Sequence, residues 1–250
     1  MAAKHFAYYL GLDLGQSADY TALALIEQPV WVSGRWTSPA TMDRRHYDLV
    51  RARSDLARPP NPPLSVRHLE RFDLGTRYTT IVERIKEMAQ EPPLSELPAT
   101  LLVDKTGVGA AVLDAFDHSG IRPTAVTIHG GSAVSRDPQR CGFRVPKRDL
   151  VSAVQVLLQT GRLKIAASLP EAATLKKELL NFRVKVNPAT AHDSYEHWRE
   201  GDHDDLVLAT AMPCWFREAR YARVEARYAK EERTRHETHW YNDRQGNGSH

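Results

Sequence analysis

Aspartates mark the ends of apolar runs at three distant points of this chain. Tyr-Tyr-Leu-Gly-Leu-Asp13-Leu-Gly and Leu-Leu-Val-Asp104-Lys-Thr-Gly-Val-Gly each close a strand-like run with a carboxylate, and Gly-Asp-His-Asp204-Asp205-Leu-Val-Leu-Ala opens a helix-like run with several. A carboxylate in such a setting is costly unless something pairs with it. Oxygen-only ligands suit Mg2+ or Mn2+. The pattern therefore points to a metal-dependent phosphodiesterase built on the ends of neighbouring elements.

The spacing between these runs constrains the sheet. Phe6 to Leu14 reads as a buried strand stopped by Gly15, and Thr21 to Glu27 as a second one after a short Gln-Ser-Ala-Asp turn. So short a link requires antiparallel pairing. Leu64 to Leu74 returns as a third strand. Between them, Gln28 to Pro63 carries Trp31, Trp36 and the cluster Pro59-Pro60-Asn61-Pro62-Pro63, and reads as an insert. Thr79 to Gln90 has helical spacing, with Ile81, Val82, Ile85, Met88 and Ala89 as its apolar stripe. Ala99 to Asp104, a helix over Gly109 to Ser119, and Thr124 to Ile128 then suggest a right-handed parallel crossover.

His129 to Arg144 reads as a Gly-, Ser- and Arg-rich loop. A helix over Asp149 to Thr160 is entered from Pro146-Lys147-Arg148, and Arg162 to Ala166 forms an edge strand. Pro170 to Asn181 is a helix with Leu175, Leu179 and Leu180 inward. Phe182 to Val186 and Ser194 to Trp198 form a hairpin. The last core helix runs from Asp202 to about Trp215, with Pro213 kinking it or marking its last turn. From Arg217 onward the chain is charged and nearly without aliphatic residues, a solvated helix or disordered tail.

The net charge of +3 permits a nucleic-acid partner without demanding one. Cys141 and Cys214 form no CxxC pair, which argues against a zinc knuckle or disulfide framework and for a reducing cytosol. No apolar run approaches the ~20 residues that span a bilayer, so no membrane is expected.

Each acid also has a plainer reading. Asp13 can be a turn aspartate before Gly15, Asp104 can cap the helix after it, and acids in a helix's first turn complement its dipole. A cap explains Asp202 well. It explains poorly three aspartates around His203, followed at once by an apolar helix. Jointly, two strand ends and a helix start can converge on two cations ~3.5–4 Å apart.

Strand Asp13, the hairpin, Asp104-Lys-Thr-Gly-Val-Gly, Val145-Pro-Lys-Arg-Asp-Leu-Val, His192-Asp-Ser-Tyr-Glu and the His-Asp-Asp-Leu segment together resemble the nuclease domain of the large terminase subunits of tailed phages, over about Phe6 to Trp215. The His-Asp-Asp-Leu segment is fairly specific in that context; Asp-Leu-Gly alone is weak. The resemblance implies an α/β, RNase H-like mixed sheet, antiparallel in its first three strands and then parallel, flanked by helices. It implies a nuclease domain over 1–216 with a Pro-rich insert at about 28–63, and a charged, flexible tail over 217–250. Asp13, Asp104 and Asp205 would be ligands to two Mg2+ or Mn2+ ions, with Asp204 a further ligand or a carboxylate behind them. The substrate would be double-stranded DNA in the cytoplasm of a bacterial host, for a phage or prophage protein.

Terminases also carry an ATPase motor, and no Gly-x4-Gly-Lys-Ser/Thr occurs here. With no room for a motor ahead of Asp13, the expectation is a separate nuclease, a fragment or a domesticated relative. Its partners would then include a separate packaging ATPase, a small terminase subunit and a portal. Lys105, Arg144, Lys147 and Arg148 are candidates for phosphate contact, His129 for lining the site, and His203 for a ligand or proton shuttle; for the basic residues a solvated surface is the competing reading. Two other functions stay open. Gly11-Leu-Asp13-Leu-Gly15 and Asp104-Lys-Thr-Gly107 also resemble the phosphate loops of actin-like and sugar-kinase ATPases, which share the RNase H-like core. The third reading is a non-catalytic DNA-binding module in which the acids are caps.

Overall fold

The two apolar runs flanking the Gly15 turn pair antiparallel along their whole length, Phe6 opposite Pro29 and Asp13 opposite Ala22. They are β1 (Phe6–Asp13) and β2 (Ala22–Pro29) of a computed structural model that describes residues 6–15, 19–29, 61–107, 110–137, 142–181 and 204–223. Most of the 28–63 insert, the hairpin expected after Phe182, Asp202, His203 and the end of the tail lie outside the described residues. The remaining strands are β3 (Leu64–Arg71), β4 (Ala99–Asp104), β5 (Thr124–His129), β6 (Ser135–Asp137), β7 (Gly142–Pro146) and β8 (Leu163–Ile165). Helices are α1 (Tyr78–Gln90), α2 (Ala110–His118), α3 (Lys147–Gln159), α4 (Ala172–Asn181) and α5, residues 205–223.

The strands form one sheet in the order β6-β7-β5-β4-β1-β2-β3-β8. β1, β2 and β3 are antiparallel, whereas β1, β4, β5 and β7 run parallel. This is the expected mixed α/β sheet. One face is built by period-two alternation: Leu10, Leu12, Leu23, Leu25, Leu101 and Val103 pack with Ile81, Val82 and Ile85 of α1 and Val112, Leu113 and Phe116 of α2. The other face carries Gly11, Asp13 and Leu102.

Several expectations are corrected. The segment taken as a loop contains β6 and β7, an antiparallel pair joined to the parallel edge at β5. Their runs are short and rich in Gly, Ser and Arg, which hides a strand. α3 starts at Lys147, directly after Pro146 in the cap position, so Lys147 and Arg148 lie in its first turn. In α1, Ala89 is exposed. In α4, Leu180 is 71% exposed, and Glu178, not Leu179, is the buried neighbour of Leu175. Pro213 does not mark the last turn, since helix continues to residue 223.

Two compact units divide the chain, Met1–Trp215 and Phe216–His250. In the first, Phe143 meets Trp215 edge-on at 5.5 Å. In the second, the Arg217 guanidinium lies 4.6 Å over the Tyr221 ring. Among the described residues no helix is long and apolar enough to cross a membrane.

Candidate active site

Strand register places the first two aspartates side by side. Leu12 pairs with Val103 in parallel, so Asp13 and Asp104, next along each strand, adjoin at the carboxyl ends on the face away from α1 and α2. On that face Asp13 stands opposite Ala22, and Ala22 opposite Arg71. Cross-strand partners share a face. Asp104, Asp13, Ala22 and Arg71 therefore form one row across four strands, with the small Ala22 leaving room between acid and guanidinium.

α5 brings the other two acids. Pro213 lacks an N–H, so the Ala209 carbonyl one turn earlier loses its helical donor. That carbonyl lies against Gly11 of β1: a Cβ on Gly11 would stand 1.9 Å from Ala209 O and 2.6 Å from Pro213 Cδ. The missing side chain on the strand thus seats the helix. Asp205, the first helical residue, is buried one turn before Ala209, and Asp204 precedes it with its carbonyl accepting the Leu208 N–H at 2.9 Å.

Asp13, Asp104 and Asp205 are only 8%, 7% and 5% exposed, so their charges are poorly hydrated. Burial, then the charges of Asp104, Asp205 and Asp204, push the Asp13 carboxyl well above the usual range, against the opposing charge of Lys147. Asp104 is pushed up to about 6, chiefly by burial, while Thr106, Lys147 and a hydrogen bond with Asp13 hold it down. This is the pattern of carboxylates crowded in one cleft.

Side-chain donors hold the other acids. Thr106 donates to Asp104 Oδ1 from its amide at 2.8 Å and its hydroxyl at 2.5 Å, and its Oγ1 accepts the Ile128 N–H at 2.8 Å. Asp104 is thereby tied to β5. Lys147 Nζ donates to Asp204 Oδ2 at 2.6 Å, and Arg71 Nη2 to Asp205 Oδ2 at 3.3 Å. The Arg71 guanidinium also stacks 3.8 Å over the Tyr20 ring. Among the described residues no three His, Cys, Asp or Glu side chains form a ready-made metal site. The donor set nonetheless suits a hard cation: it is all carboxylate oxygen, buried, and the acids outnumber Lys147 and Arg71.

Of the sequence candidates, Asp13, Asp104, Asp204, Asp205 and Lys147 come together. Three of the others hold other partners. Lys105 pairs with Asp137. Arg148 donates to the Ser132 carbonyl at 2.7 Å. His129 Nδ1 accepts the Gly131 N–H at 3.0 Å. His203 lies outside the described residues. Sequence reasoning missed Thr106, Arg71 and Glu178. Thr106 had a signal, since Asp-x-Thr is the spacing of an aspartate-centred turn. Arg71 had none without the β2–β3 register. Glu178 is pushed up to about 7, mainly by burial; the Val207 amide pulls the other way, the Asp205 charge adds to the rise, and Arg71 and the Leu206 amide also oppose it.

No protein-family model matches the chain, and no curated protein matches it. Among solved structures, the large terminase nuclease from thermophilic phage G20c is similar at 18% identity, covering 84% of this chain and 83% of that one with a TM-score of 0.52. The chain has the fold of a large-terminase nuclease domain. That fold is the RNase H-like mixed sheet, with the acidic row at the carboxyl ends of its central strands. The human cytomegalovirus terminase nuclease domain is also similar, at 14% identity over 84% of this chain and 83% of that one, TM-score 0.46. So is the large terminase nuclease domain of bacteriophage SPP1, at 12% identity over 83% of this chain and 84% of that one, TM-score 0.44.

Proposed function

We propose that the protein is a two-metal-ion DNA endonuclease of the terminase type. The observation that carries this reading is the juxtaposition of Asp13 and Asp104 in one buried row with Asp204 and Asp205 carried in on α5. Such crowding is unfavourable to the metal-free fold and useful to a site that takes up positive charge. Asp13, Asp104 and Asp205 would hold the cations, and Asp204 would complete or back the set. Bound there, divalent ions supply a water of lowered pKa and charge to stabilise the departing oxygen of a phosphodiester.

The remaining groups orient. Thr106 fixes one oxygen of Asp104 and leaves the other for a ligand. Arg71, braced on Tyr20, keeps Asp205 in place. Lys147 neutralises Asp204 in the metal-free state and is the cation within reach of a backbone phosphate once that acid is otherwise engaged. Burial under α5 keeps bulk water from the carboxylates and strengthens each charge interaction. Double-stranded DNA is the substrate this reading assigns.

The test is nicking of supercoiled plasmid in Mn2+ with and without chelator. Cleavage should need the cation and fall on the order of 10^3-fold in Asp13→Asn, Asp104→Asn or Asp205→Asn, with roughly 10- to 100-fold for Asp204→Asn. Undiminished cleavage by purified Asp104→Asn protein would sink the assignment.

A further inference from the structure

The first turn of a helix has amide donors with no partner inside the helix. With Asp204 in the cap position of α5, its carboxylate is the usual acceptor for the amides two or three residues on. Here it is not used so. The Asp204 carboxylate accepts from Lys147 at 2.6 Å, and the Val207 amide donates instead to Glu178 Oε2 at 3.1 Å. Glu178 reaches in from α4 and is 6% exposed, beside the buried Ala172 and Leu175 of its own helix. Its second oxygen is buried with no hydrogen-bond partner. As a core residue a leucine would serve better there. As an acceptor for α5, a side-chain oxygen is what the position requires.

We propose that Glu178 is the positioning residue of the site: it caps α5 from outside and so frees Asp204 and Asp205 to face Asp13 and Asp104. This rests on the metal-dependent reading above. The geometry makes the division of labour plain. One short helix start must offer two carboxylates to a cleft and still satisfy its own amides. Lys147 takes Asp204 Oδ2, and the Val207 amide goes to Glu178. Glu178 satisfies the amide from a separate helix and fixes the height of α5 above β1 at a second point, the first being Gly11.

The test compares Glu178→Ala and Glu178→Gln by two readouts. The first is amide hydrogen exchange of Leu206 to Leu208 in metal-free protein. The second is Mn2+ binding by calorimetry, alone and combined with Asp205→Asn. In Glu178→Ala the Val207 amide should exchange faster, by roughly 2- to 30-fold for a lost cap. Mn2+ affinity should fall about 10- to 100-fold. Glu178→Gln, whose amide oxygen still accepts, should stay close to wild type in both. Combined with Asp205→Asn, the alanine change should cost little further affinity, because its effect runs through that residue. Glu178→Leu takes the place of alanine if the alanine variant does not fold. Unchanged exchange in Glu178→Ala overturns the cap. Faster exchange with unchanged Mn2+ affinity, or an undiminished penalty in the Asp205→Asn background, overturns the positioning role. A wild-type protein that takes up no Mn2+ overturns the nuclease reading and the positioning role with it, while the exchange result still decides the cap.

Discussion

Gly11→Ala is the smallest change that should move a whole element of the site. The added methyl would sit 1.9 Å from the Ala209 carbonyl oxygen and 2.6 Å from Pro213 Cδ. Carbon and oxygen approach no closer than about 3.3 Å even in a weak C–H···O contact, so strand and helix must part by about 1.4 Å. Neither neighbour is the free end of a flexible side chain. One is backbone of a buried helix, the other a proline ring. Leu206, Ala209 and Met212 on that helix are fully buried, so relief of the clash must disturb the packing around them. Overpacking of this kind costs about 1–3 kcal/mol, or roughly 2–12 °C in Tm for a chain of this size.

The functional loss should exceed the loss of stability. Asp205 lies one turn from Ala209, ~6 Å along the same rigid helix, and moves with it. A shift of ~1 Å in a group that must meet others costs roughly 10^2-fold in rate. Thermal melting and Mn2+-dependent plasmid nicking measure both. Gly120→Ala is the control: its positive φ of 83° makes alanine strained, yet nothing lies within 4 Å of the new methyl. It should lower Tm and leave nicking near wild type. Gly11→Ala protein with unaltered Tm and full nicking would refute the seating of α5 on Gly11.

Metal-free stability should fall as pH rises from about 4 through 6: Asp104 is shifted from 3.8 up to about 6 and Asp13 is raised too, so in that window the folded state binds more protons than the unfolded one. Asp13→Asn or saturating Mn2+ should flatten that part of the pH–Tm profile, and an equally steep profile in Asp13→Asn contradicts the crowding. Lys147→Met should cost about 1–3 kcal/mol without metal, since Asp204 loses a charge-assisted bond; calorimetric melts should show a larger Mn2+ gain than in wild type, and an equal gain would place Lys147 outside the cation site. If the acidic row serves metal-dependent DNA cleavage, calorimetry with ATP should show no binding; measurable binding would favour the actin-like reading.

The central sheet was legible because Leu10, Leu12, Leu101 and Val103 alternate cleanly and a short connection between the first two strands admits one pairing. The carboxylate pair followed from the same alternation, since Asp13 ends its strand on the face opposite Leu10 and Leu12, and Asp104 on the face opposite Leu101 and Val103. What stayed hidden are the partners of residues that break local preference. Lys147 puts a positive charge at the positive end of α3, which the helix dipole disfavours. Glu178 puts a carboxylate into the inward stripe of α4, where pattern reading favoured Leu179 and Leu180. Neither makes sense within its own helix. Each answers a demand from α5, Lys147 as the cation for Asp204 and Glu178 as the acceptor for the Val207 amide. The two meet at one helix start: Lys147 holds one oxygen of Asp204, and Glu178 takes an amide that a capping aspartate would ordinarily take. Under the proposed reading, the acids of α5 need not choose between capping and ligation, because a capping carboxylate comes from another helix.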